Sequence, residues 1–155
     1  MHILAKIIAR DVNRSNTLVI NKGSHNGLSD NLPVTTEQGI ILGKIMETKN
    51  STATVLLLTD PGSQIAVTTP EYNTTIGLAQ GEFGLSIKIE LIPQNITINP
   101  GDTIITSGIE ENMPNGLVIG KVNRVFSNEN ELFKTATINP LINYEEVNIV
   151  SVIKK

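Results

Sequence analysis

Ser107, in Thr106-Ser107-Gly108, is where an acyl-transfer nucleophile would be sought, with His2 or His25 as general base and Asp60 as orienting carboxylate. The surroundings of each residue argue for a plainer role. A serine before a glycine at the end of a β-branched run fits a strand end or turn. His2 sits at the chain terminus, and His25 lies in the turn Ser24-His25-Asn26-Gly27. No catalytic residue is assigned. Metal binding fares no better, because two separated histidines and no cysteine leave carboxylates as ligands. The adjacent pairs Glu110-Glu111 and Glu145-Glu146 would point to opposite faces of a strand and are read as solvated charge. Asp102 follows Gly101 and is suited to accepting hydrogen bonds from turn amides. The glycines from Gly77 to Gly84 lack the lysine and the strand-to-helix setting of a phosphate loop. No cofactor or metal is expected.

Composition narrows the function classes further. A net charge of −3, with 17% charged residues, provides no basic field for a phosphate backbone. Aromatic residues at 3% and no tryptophan remove the stacking platforms of single-strand readers. Nucleic acid is therefore not the expected partner. The absence of cysteine excludes a disulfide framework and a thiolate nucleophile. The longest apolar run, Val55 to Leu58, is far short of the roughly 20 residues of a membrane-spanning helix. No export signal opens the sequence. Four Asn-x-Ser/Thr tripeptides, beginning at Asn13, Asn50, Asn73 and Asn95, are what an asparagine-rich chain produces by chance.

These side chains must be carried by strands. Ser86-Ile87-Lys88-Ile89-Glu90-Leu91 alternates strictly, which puts Ile87, Ile89 and Leu91 on one face. Short β-branched runs recur at Thr17–Ile20, Ile41–Ile45, Thr54–Leu58, Thr103–Ile105, Val118–Val122, Lys134–Ile138 and Glu146–Val150. Asn26-Gly27, Asp60-Pro61-Gly62, Asn99-Pro100-Gly101-Asp102 and Pro114-Asn115-Gly116 separate them with turn chemistry. The class is all-β, as barrels or sandwiches.

A weak internal echo divides the chain. Residues 34–61 carry Gly39, then Leu42-Gly43-Lys44-Ile45, then a polar turn, then a strand ending at Pro61. Residues 116–140 repeat the order with Gly116, Ile119-Gly120-Lys121-Val122, a polar turn and a strand ending at Pro140. Two small β-barrel or sandwich domains in tandem follow, 1–72 and 73–155, with the junction near Thr68 to Thr75, where Pro70, Tyr72 and Asn73 interrupt the pattern. The last strand, near Val147 to Ile153, either closes the second domain or returns to the first.

The ordered motifs Leu18-Val19-Ile20-Asn21-Lys22-Gly23-Ser24, Gly43-Lys44-Ile45, Val55-Leu56-Leu57-Leu58-Thr59-Asp60-Pro61, Gly101-Asp102, Thr106-Ser107-Gly108 and Ile119-Gly120-Lys121-Val122 resemble the extracytoplasmic β region of MreC, the rod shape-determining family. The likeness runs over nearly the whole chain. Two departures stand out. Three residues separate Gly39 from Gly43 where the family pattern more often has two, which predicts a β-bulge. In addition, Ile109-Glu110-Glu111-Asn112-Met113 replaces the family's Gly-rich run to a Phe.

The resemblance implies a non-catalytic scaffold of the cell-elongation machinery, serving peptidoglycan synthesis and rod shape. It implies a membrane-anchored dimer, joined by an N-terminal helix and coiled coil that this sequence lacks, on the periplasmic or extracellular face of the bacterial cytoplasmic membrane. Its implied partners are a class B penicillin-binding transpeptidase, MreD, RodA and, indirectly, MreB. Self-association through open barrel edges is a further expectation. The alternatives are a degenerate two-barrel, chymotrypsin-like hydrolase built on Ser107, and a phage or pilus-type structural β module. The partner-binding surface is unknown from sequence, with Leu28, Leu32, Tyr72, Phe83 and Met113 as apolar loop candidates.

Overall fold

The computed structural model describes residues 1–12 and 14–154, so the tripeptide at Asn13 lies outside the described residues. Twelve strands follow one another: β1 (His2–Asp11), β2 (Thr17–Ile20), β3 (Pro33–Thr35), β4 (Ile41–Thr48), β5 (Ala53–Leu57), β6 (Gln64–Thr68), β7 (Gly77–Glu82), β8 (Ser86–Pro93), β9 (Thr103–Thr106), β10 (Val118–Phe126), β11 (Phe133–Pro140) and β12 (Ile149–Ile153). A 3-10 turn at Ser24–Asn26 is the one helical element among the described residues.

Both sheets close into six-stranded barrels, in the orders β1-β12-β3-β4-β5-β2 and β10-β11-β8-β7-β6-β9. Closure follows from the alternation of the sequence, which fills each interior with aliphatic side chains. One core gathers Leu18, Ile20, Val34, Ile45, Val55 and Val152, and the other Ile65, Ile87, Ile89, Ile104, Ile119 and Ile138. In the closed barrels every strand has a neighbour on each side, which leaves no whole strand edge free of the kind that self-association by edge pairing would use.

The expected division at 72/73 is corrected. The segment around Pro70, Tyr72 and Asn73 connects β6 to β7 inside the second barrel, with the Tyr72 amide donating to the Thr69 carbonyl at 3.2 Å. The chain crosses between barrels earlier, through the Asp60-Pro61-Gly62 turn between β5 and β6. β5 ends at Leu57, the Asp60 N–H closes one turn on the Leu57 carbonyl and the Ser63 N–H the next on the Asp60 carbonyl, and β6 then begins in the second sheet. The last strand takes the returning route. β12 pairs with β1 from His2↔Ile153 to Lys6↔Ile149 and with β3 at Ser151↔Thr35 and Val152↔Val34. The chain ends therefore lie side by side, and the Met1 amine donates to the Lys154 carbonyl at 3.1 Å.

The echo read from sequence is a repeat of register. Gly43↔Leu57, Ile45↔Val55 and Glu47↔Thr54 in the first barrel match Gly120↔Pro140, Val122↔Ile138 and Arg124↔Thr137 in the second. The shift of register after Ile45 recurs after Val122. Gly43 and Gly120 hold equivalent places where a Cβ would run into the backbone of the neighbouring strand, at Leu56 and Asn139. Only glycine lets these strands approach so closely.

The predicted bulge is present. Val34 pairs with Gly43 and Thr35 with Ile41, so Leu42 is the unpaired extra residue. The second barrel has the same bulge at Ile119, between the pairs Val118↔Ile105 and Gly120↔Ile104. A bulge puts two successive side chains where alternation would put one. As a result Leu42 fills the first barrel's core, while Ile41, 1% exposed, packs into the core of the second.

Candidate interaction surface

The residues considered for catalysis are not brought together. The His2 ring nitrogen Nδ1 lies 3.2 Å from the Ser151 hydroxyl. Ser107 instead accepts a hydrogen bond from the Thr75 hydroxyl at 2.8 Å. Asp60 is committed to the chain crossing, where it accepts from the Asn16 amide at 3.0 Å and from the Gly62 N–H at 2.8 Å. His25 occupies the 3-10 turn before Gly27. Among the described residues no group of three or more histidines and carboxylates is placed to hold a metal ion. Asp102 does what its turn suggested, accepting from the Asn99 N–H at 2.8 Å. No helix of the described residues is long and apolar enough to cross a membrane.

The chemistry that is present joins the two barrels, and it falls in three places. At the crossing, the Leu57 N–H donates to the Asn16 carbonyl at 2.9 Å, and the Gly84 N–H at the tip of the β7–β8 hairpin donates to the Thr59 carbonyl at 3.0 Å. The Gln80 amide adds a bond to the Pro61 carbonyl at 3.1 Å. The linking segment is thus held by one barrel on one side and by the other barrel on the other. At the bulges, the Val118 N–H donates to the Gly39 carbonyl at 3.1 Å, and Ile40 bridges Val118 in parallel.

The third place lies beside β6. Its ladder with β9 has two registered pairs, Val67↔Thr106 and Thr68↔Ile105, and continues only to the Ser107 N–H on the Ala66 carbonyl, 3.0 Å. The next backbone groups along that side are completed by side chains. Glu110 accepts the Ala66 N–H at 2.7 Å through Oε1. The Lys44 ammonium donates to the Gln64 carbonyl at 3.0 Å and to Glu110 Oε2 at 3.2 Å. A charge-assisted bond from a backbone N–H to a carboxylate is stronger than a neutral one. Glu110 therefore is not the solvated charge read from its position beside Glu111.

Of the apolar loop residues singled out above, Leu28, Leu32 and Met113 are buried. Tyr72 is half-buried and packs against the second core, and its phenol oxygen accepts the Thr97 N–H at 3.1 Å. Phe83 is different. It is 84% exposed at the β7–β8 tip, beside Leu85 at 81%, with a backbone φ of +54°. A left-handed conformation is uncommon for a bulky residue and persists only where the surroundings impose it. Here the tight β7–β8 hairpin accounts for it: Gly84 is left-handed as well, the Leu85 N–H closes the turn on the Glu82 carbonyl at 2.9 Å, and the Gly84 N–H is anchored on Thr59. The result is an aromatic side chain displayed to solvent on a buttressed turn.

Residues 7–154 match the family model described as "Rod shape-determining protein MreC, barrel core". Among curated relatives, the cell shape-determining protein MreC of Listeria monocytogenes is 30% identical over 156 residues, covering 97% of this chain and 52% of the relative. That of Bacillus subtilis is 31% identical over 164 residues, covering 99% and 57%. The chain thus spans about half the length of the curated relatives it matches. A solved MreC structure from Listeria monocytogenes superposes with a TM-score of 0.88 at 27% identity, covering 99% of this chain and 75% of that one. The Helicobacter pylori complex between penicillin-binding protein PBP2 and MreC contains a chain of the same fold, with a TM-score of 0.76 at 15% identity and coverage of 100% and 99%.

Proposed function

The chain belongs to the MreC family of rod shape-determining proteins, and from that premise we propose that it is the partner-binding β region of a non-catalytic scaffold that positions a class B penicillin-binding transpeptidase during cell elongation. One observation carries the reading: the family match runs through both barrels and the returning strand. The mechanism is differential binding, in which the β surface favours one arrangement of the transpeptidase and raises its population. Peptidoglycan is the product of the process served and is not turned over by this chain. In this reading MreD, RodA and MreB belong to the same assembly, reached through the membrane helix and coiled coil that the resemblance implies, and the chain works on the outer face of the cytoplasmic membrane. Faces rather than edges of the closed barrels mediate any further self-association.

The neighbour in which MreC is bound to PBP2 supports the choice of partner. Phe83 and Leu85 are the side chains best disposed for it, since exposed aromatic anchors on rigid backbone lose little entropy on docking. The test is twofold. The purified chain is titrated against the transpeptidase ectodomain of the same organism, and the segment is deleted in cells. Saturable binding together with loss of rod shape is expected. No binding, with rods intact after deletion, would overturn the reading.

A further inference from the structure

The sixth strand of each half of the chain lies in the barrel of the other half. From this exchange we infer that the two barrels are one mutually completed folding unit, so that weakening or occupying either barrel changes the stability of both by the same factor. The repeat of register defines the halves. β4 and β5 correspond to β10 and β11, and β3 to β9, which makes β1–β6 one unit and β7–β12 the other. In the first barrel the slot between β1 and β3 is filled by β12, and in the second the slot between β7 and β9 is filled by β6. The two exchanged strands share one pattern, a first residue exposed and the next four buried.

Neither half can close a barrel in its own copy of the pattern. Without β12, the first barrel would have open edges at β1 and β3, with the places of Val150 and Val152 empty. Without β6, the second would lose Ile65 and Val67. Each exchanged strand is joined on one side by only two registered pairs, so it relies on the rest of both sheets. Ile41 and Leu58, from the first barrel's half, also pack in the second core. Tandem domains ordinarily move and open separately. Here opening the first barrel means withdrawing the end of the second half, and opening the second means withdrawing the end of the first.

Native-state hydrogen exchange on the 155-residue chain tests this, with Val152→Ala in β12 and Val67→Ala in β6. Each substitution removes buried methyl groups, which should raise the exchange rates of the slowest amides about 10- to 100-fold. The expected result is one common factor for the slowest amides of both barrels in either variant. Ile65→Val, with an acceleration of roughly 2- to 10-fold, reads the same coupling if an alanine variant does not fold. Acceleration confined to the barrel that lines the substituted side chain would overturn the inference.

Discussion

Replacing Ile41 with alanine tests the most local consequence of the fold, that a bulge sends one side chain of the first barrel's sheet into the second barrel's core. Ile41 is 1% exposed and clusters with Ile65, Ile87 and Ile119, whereas its neighbour Leu42 clusters with Ile45 and Val55. Removing the outer carbons of a fully buried isoleucine costs about 2–5 kcal/mol, with the larger values where the site cannot collapse. Ile41 is held by its pairing with Thr35 and by the bridge of the preceding Ile40 to Val118, so the upper half of that range is expected. For a chain of this length each kcal/mol lowers the melting temperature by about 2–4 °C, giving a fall of roughly 7–20 °C. Thermal unfolding followed by circular dichroism measures the fall, and methyl NMR locates it. In Ile41→Ala the methyl resonances of Ile65, Ile87 and Ile119 should move, and in Leu42→Ala those of Ile45 and Val55. A melting temperature unchanged to within about 1 °C, or shifts for Ile41→Ala confined to the first barrel, would refute the reasoning.

Gly43→Ala and Gly120→Ala should each lower the unfolding free energy read from urea titration by more than the about 1–3 kcal/mol of ordinary overpacking, because the added Cβ meets the backbone of the neighbouring strand, at Gly120 together with the Ile138 side chain. Glu110→Ala should cost more than Glu110→Gln in the same assay, since the Lys44 pair is partly exposed and screened to about 1 kcal/mol or less, while the Ala66 N–H left without its acceptor adds about 1–3 kcal/mol. Burial pushes the Tyr144 phenol up to about 12 from its usual 10. The fold favours the protonated phenol, so its contribution to stability is intact below pH 10 and is lost as the pH rises toward 12; a phenolate absorbance titration should show a step near 12 that Tyr144→Phe removes. Phe83→Ser and Leu85→Ser should weaken transpeptidase binding about tenfold or more with the melting temperature unchanged, as measured by calorimetry.

Most of the all-β reading was legible because alternation is a local property. Ser86 to Leu91 announces β8, although a left-handed Leu91 at φ +61° turns that side chain outward, to 54% exposure, against the expected inward face. Strands β3 and β7 carry too little local signal: β7, Gly77-Leu78-Ala79-Gln80-Gly81-Glu82, holds no β-branched residue, and β3, Pro33-Val34-Thr35, is three residues long and held on one side by the distant β12. The sequence pattern puts the terminal strand about three residues early, because Glu146-Val147-Asn148 alternates as well as Ile149 to Ile153 does, and only pairing with β1 decides between them. The division of the chain is hidden for the same reason. Pro70 and Asn73 punctuate a connection within a barrel, whereas Asp60-Pro61-Gly62 punctuates the crossing between barrels, and both carry the same turn chemistry. At the barrel junction Lys44 and Glu110 lie 66 positions apart, and nothing in either neighbourhood announces the other.

The side-by-side ends of the chain bear on how the module is attached. Because β1 starts where β12 finishes, with His2 opposite Ile153, anything joined before Met1 leaves from the same spot as anything joined after Lys154. In mechanical terms the module is a pendant on one stalk, not a link in series between two ends. A pull applied at the two ends would part the β1–β12 ladder like a zipper, bond by bond from His2, whereas a pull between the stalk and a partner bound on the second barrel would load the two barrels across their shared strands.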